Sequence, residues 1–160
     1  MFPSETQLVA HLTGLGQTIA VAESLTAGMV AATIASVPGA SVVLRGGAVT
    51  YATDTETSLL GVDEELLACG GAVQAQVAEQ MASGVRTVFG ADYGLATTGV
   101  AGPDPQDGVE VGVVFIAIAT ADGVMSDRLD LDGDRERIRR SATTAALRLA
   151  LAHLGHGDVE

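Results

Sequence analysis

QTIAVAESLTAGMVAATIASVPG, residues 17–39, sets the fold. QTIAVAE, 17–23, reads as a buried strand. Residues 25–36 continue as a helix of small side chains, stopped by Pro38 and Gly39. Between the two, at an expected strand-to-helix junction, lie Glu23, Ser24, Thr26 and Gly28.

The same alternation recurs on both sides. Residues 4–14 predict an amphipathic helix with Leu8, Val9 and Leu12 inward and Ser4 as its cap. SVVLRGGAVTYAT, 41–53, has strand propensity, with RGG marking a bend or bulge. DEELLAC, 63–69, fits a short helix that begins near Asp63 and ends at Gly70–Gly71. From Val73 to Phe89 the apolar positions recur at helical spacing, and Asp92–Thr98 is a buried strand. VGVVFIAIAT, 111–120, is the most apolar strand, and ADG, 121–123, turns it into the antiparallel VMSDRLDL. Asp134 caps a last helix to about residue 154, with Ile138, Ala142, Ala145, Leu149 and Ala152 inward. Arginines 137, 139, 140 and 148 are read as its solvated face. Strands interleaved with helices predict an α/β protein, a three-layer α/β/α sandwich with a mixed, mostly parallel sheet.

Composition narrows the chemistry. The 160 residues are 48% hydrophobic, enough for one domain with its own core. Apolar runs fall short of a membrane span, and a net charge of −12 disfavours broad nucleic-acid binding, so a soluble cytoplasmic protein is expected. The lone Cys69 reads as a small buried hydrophobe. All eight basic residues are arginine, which excludes a lysine base. His11, His153 and His156 lie outside the glycine-rich stretches, which argues against a serine–histidine triad.

AVAESLTAG and GLATTGVAG share one plan: buried strand, hydroxyls, glycine. Run in parallel, they deliver Ser24, Thr26, Thr97 and Thr98 to one sheet edge, where open α/β sheets bind ligands. Ser24 reads either as a helix cap or as a nucleophile beside helix-start N–H groups able to stabilise an oxyanion. The loop TTGVAGPDPQDG, 97–108, reads as a long turn or as a site loop. GDR, 133–135, places Arg135 beside a helix start, as a phosphate receptor or an exposed charge. Tyr51 and Glu56 flank a polar turn.

Taken in order, AESLTAG, RGG with TYATD and LLGV, GAV at 71–73, ATTGVAGP and GDR resemble the CinA C-terminal domain family, over residues 5–154. The resemblance implies a single domain over 1–160, without the N-terminal molybdopterin-binding-like domain of many members. It implies metal- and cofactor-free hydrolysis of the carboxamide of nicotinamide mononucleotide, a pyridine mononucleotide, to nicotinate mononucleotide and ammonia, commonly by a homo-oligomer. Carried over by position, Ser24 is the nucleophile. Tyr51 and Thr98 relay protons or orient the amide, Thr26, Gly28 and Gly99 bind the substrate, and Arg135 holds its phosphate.

Three positions depart from that pattern. Glu56 stands where the family has the lysine thought to act as base, Val109–Glu110 where it has a Lys-Pro pair, and Ala27 where it has glycine. A carboxylate can serve as base only if desolvation raises its basicity. Two readings follow: an amidohydrolase with Glu56 as base, or a catalytically silent nucleotide-binding or interaction protein that keeps the pocket.

Overall fold

The computed structural model describes residues 3–155. In chain order these form α1 (Ser4–Leu15), β1 (Ile19–Glu23), α2 (Met29–Ala35), a 3-10 turn (Ala40–Val42), β2 (Leu44–Val49), α3 (Thr53–Leu60), α4 (Glu64–Gly70), α5 (Ala75–Phe89), β3 (Tyr93–Gly99), β4 (Val113–Thr120), β5 (Gly123–Asp130) and α6 (Arg135–His153). The strands lie in the order β2-β1-β3-β4-β5. β1 pairs in parallel with β2 and β3, and β3–β4 and β4–β5 pair antiparallel. Four of the five strands therefore point one way and β4 alone runs back, a mixed sheet between two helical layers.

The two faces of the sheet differ in bulk. Ile19, Val21, Leu95, Ile116 and Ile118 pack against α1, α2 and α6. The alternating positions, Ala20, Ala22, Ala48, Ala96, Ala117 and Ala119, face α5. Small side chains let α5 settle close to the sheet. At Gly94 a Cβ would come 2.0 Å from the Ala82 carbonyl oxygen, and at Gly84 one would come as near to that of Leu60. The RGG segment does carry an irregularity: the β1–β2 register passes from Ile19↔Leu44 to Ala20↔Gly46, skipping Arg45.

Local expectations needed correction at several points. Ser4 is the first residue of α1 rather than its cap, and Pro3 precedes it without a side-chain capping bond. Residues 53–60 are helix, not the end of a strand. Asp54 and Glu56 place acid in the first turn, and Gly61 closes the helix in left-handed conformation. On α6 the inward set runs through Thr143, Ala146, Leu147 and Ala150, while Ala145 is half-buried and Ala152 exposed. Cys69 is exposed, because α4 buries none of its residues. Among the described residues no helix is long and apolar enough to cross a membrane.

Candidate functional site

β1 and β3 run side by side in parallel, with Glu23 opposite Thr97, and the Ser24 N–H donates to the Thr97 carbonyl at 3.1 Å. Both hydroxyl-bearing corners therefore open at one sheet edge. Thr26 Oγ1 and Thr97 Oγ1 share a hydrogen bond of 2.8 Å and are fully buried, tying the corners together.

Ser24 does not cap a helix. Residues 25–28 form a turn, Gly28 occupies the cap position of α2 with φ 98°, and Ala27 takes a positive φ of 48°. The start of α2 is spoken for. Glu23, 1% exposed, points to the α2 side of the sheet, where its carboxylate accepts the N–H groups of Val30 at 2.8 Å and Ala31 at 3.1 Å. The expected oxyanion stabilisation by that helix start is thus replaced by an internal carboxylate cap. Leu25, directly after Ser24, remains: it lines the pocket, and among the described residues its N–H has no acceptor.

A pocket of about 270 Å³ lies over this corner. Ser24, Tyr51, Gly99 and Arg135 line it, with Thr53 and the loop from Val100 to Gln106 forming further wall. Arg135 spans the rim, donating to the Gly102 carbonyl and, at 2.7 Å, to the Tyr51 hydroxyl. Tyr51 is 59% exposed, so its ring stands at the mouth.

Thr26, Gly28, Thr98 and Glu56 are not among the lining residues. Thr98, fully buried, donates to the Ala72 carbonyl at 2.8 Å and anchors the segment before α5. Glu56 projects into the interior on the inner side of α3, 1% exposed, with Oε2 lacking a hydrogen-bond partner. Burial pushes its carboxyl from 4.5 up to about 7. Desolvation thus supplies the basicity that a glutamate at this position requires.

Arg139 is not part of a solvated face. It is half-buried, and its guanidinium donates to the Leu25 carbonyl at 2.8 Å and the Thr26 carbonyl at 3.2 Å, clamping the Ser24 turn from α6. Nothing in its sequence context sets it apart from Arg137 and Arg140. His11 is exposed on α1, His153 bonds the Leu149 carbonyl, and His156 lies outside the described residues. Among those residues no cluster of three or more His, Cys, Asp or Glu is placed to hold a metal.

Three larger hollows lie elsewhere, one of them, about 400 Å³, between α3 and α4. Another, of about 480 Å³, is walled by residues 108–113 with Phe115, Arg128 and Asp130, and offers no hydroxyl, thiol or imidazole. The third, about 690 Å³, is an open groove between α6 and β5. The hollow of about 480 Å³ adjoins the same sheet edge, through Val113 and the end of β5, but Ser24 lines none of the three, so size is not the guide to the chemistry here.

Fold and pocket together define a three-layer α/β/α domain with a pocket at the carboxyl edge of its parallel strands. The chain belongs to the CinA C-terminal domain family, which matches residues 2–154. It is 54% identical over 132 residues to a CinA-like protein of Frankia casuarinae, covering 82% of this chain and 30% of that protein. A putative competence-damage inducible protein of Desulforamulus reducens is 45% identical over 84% of this chain and 33% of its own length. The chain thus spans about a third of the curated relatives it matches. Among solved structures, a competence/damage inducible protein from Agrobacterium tumefaciens superposes with a TM-score of 0.88 at 34% identity, covering 95% of this chain and 97% of that one. A CinA superfamily protein from Escherichia coli superposes with a TM-score of 0.91 at 27% identity, over 94% of this chain and 88% of its own.

Proposed function

We propose that this domain is a nicotinamide-nucleotide amidohydrolase acting through Ser24. The observation that carries the reading is that Ser24, Tyr51 and Arg135, from three separate segments, line one pocket. Ser24 Oγ attacks the carboxamide carbon and the Leu25 N–H receives the developing oxyanion, the usual place for such a donor after a nucleophile. Arg135 exchanges its bonds to Tyr51 and Gly102 for the substrate phosphate, which matches guanidinium geometry. Ammonia leaves with a proton from the base, and water then cleaves the acyl-serine to nicotinate mononucleotide. Glu56 is the residue at the base position, and its raised pKa suits a proton acceptor near neutrality.

A second reading, binding without turnover, is favoured by one feature: the base is reached only through buried structure, since Glu56 does not line the pocket. Ammonia release from nicotinamide mononucleotide separates the two. Turnover by the wild type that Ser24→Ala abolishes supports the hydrolase. A silent wild type that gains activity on Glu56→Lys supports loss of the base.

A further inference from the structure

Among the described residues only two buried side-chain atoms lack a hydrogen-bond partner, Thr50 Oγ1 and Glu56 Oε2. Such orphans are rare in native interiors and call for an explanation. Both lie within one short segment that also supplies Tyr51 to the pocket. Thr50 is fully buried.

Strand register shows where Thr50 stands. Its N–H donates to the Glu23 carbonyl, as the Ser24 N–H does to Thr97, so both ladders continue past the strand ends. Ala48, Ala22 and Ala96, two residues earlier on β2, β1 and β3, share the α5 side of the sheet. Alternation of side chains carries that row on to Thr50, Ser24 and Thr98. Three hydroxyls therefore stand abreast at the strand ends, with neighbouring strands about 4.8 Å apart. Thr98 spends its proton on Ala72, whereas Thr50 spends its own on nothing. α3, which holds Glu56, packs against α5 over the same face.

We propose that Thr50 is a positioning residue that links Ser24 to Glu56 by passing the serine proton inward. The inference rests on the reading of Ser24 as a nucleophile. As Ser24 Oγ bonds to the acyl carbon, its proton moves to Thr50 Oγ1, and the threonine's own proton moves to Glu56 Oε2, directly or through one water. The negative charge passes from the Glu56 carboxylate to the tetrahedral oxyanion. On collapse, the proton returns by the same route to the leaving nitrogen. Without ligand the two orphans do not bond each other, a looseness common before substrate tightens a site.

The charged groups on the surrounding elements are otherwise engaged. Asp54, Glu64 and Glu65 are exposed, Glu79 accepts from Ser126, Arg86 donates to the Asp92 carbonyl, and Glu23 faces α2. Desolvation alone acts on Glu56.

Labelling of the full chain by a fluorophosphonate, which phosphonylates activated serines with loss of fluoride irrespective of natural substrate, tests the link. The wild type is labelled at Ser24, with a rate that rises through pH 7 as Glu56 ionises. Thr50→Val, nearly isosteric, slows labelling by about 10²-fold or more. Thr50→Ser restores most of the rate, and Glu56→Gln flattens the pH profile. Thr50→Val also keeps or raises the melting temperature, because it removes an unsatisfied hydroxyl, whereas a purely structural threonine would lower it. Labelling of Thr50→Val at the wild-type rate, failure of Thr50→Ser to restore it, or an unlabelled wild type overturns the proposal. Normal labelling without ammonia release would leave the link standing and remove nicotinamide mononucleotide as substrate.

Discussion

The Arg139 guanidinium lies 2.8 Å from the Leu25 carbonyl oxygen, so the turn that presents Ser24 is fastened to α6 from across the molecule. Its second bond, to Thr26, holds the next peptide of the same turn. Charged hydrogen bonds of this kind contribute about 1.5–3 kcal/mol each. Arg139→Met is therefore expected to lower the unfolding free energy by about 2–4 kcal/mol, read from denaturant midpoints. It also lowers kcat for amide hydrolysis, since the nucleophile loses its fixed position. A variant as stable as the wild type would show that the clamp contributes nothing.

Ala27 carries a side chain where the backbone is left-handed, at φ 48°, and it is exposed. Only the steric cost of the Cβ in that region is at stake. Ala27→Gly is expected to raise stability by about 0.5–1 kcal/mol, visible as a small rise in melting temperature. The family pattern has glycine there, which agrees with the strain.

Glu56 makes stability depend on pH. Its folded pKa, about 7, exceeds the unfolded 4.5, so the folded state binds the proton more tightly. That contribution is fully present below pH 4.5 and is lost as pH rises through 7. Between pH 5 and 8 the wild type should lose about 2–3 kcal/mol more stability than Glu56→Gln. Urea midpoints for both proteins across that interval check it. Parallel curves would mean that Glu56 titrates like an exposed carboxylate.

The alanine face under α5 tolerates no added bulk. A Cβ at Gly94 would sit 2.0 Å from the Ala82 carbonyl, a backbone atom that cannot swing aside. Gly94→Ala is expected to destabilise by about 1–3 kcal/mol through overpacking, measured as a lowered denaturant midpoint at unchanged m-value.

Much of this architecture is legible from residue pattern because its signals are local. The apolar runs at 17–23, 92–98 and 111–120 and the ADG hairpin each declare a strand by themselves, and all four appear. What escapes is settled at a distance. Glu23 ends an apolar run and gives no sign that its carboxylate will cap a helix seven residues on. Arg139 looks like its solvent-facing neighbours until α6 is placed against the Ser24 turn. Helix α3 hides because its threonines favour strand, while the acids that start it are weak cues. The meeting of Ser24, Tyr51 and Arg135 was inferable only from motif order, and burial of Glu56 not at all.

The most direct test is a crystal structure of Ser24→Ala with nicotinamide mononucleotide bound. The phosphate should rest on Arg135, now released from Tyr51, and the carboxamide carbon should lie about 3–3.5 Å from where the serine oxygen would be. A nucleotide bound in any of the larger hollows, or one turned so that its phosphate meets residue 24, would contradict the account.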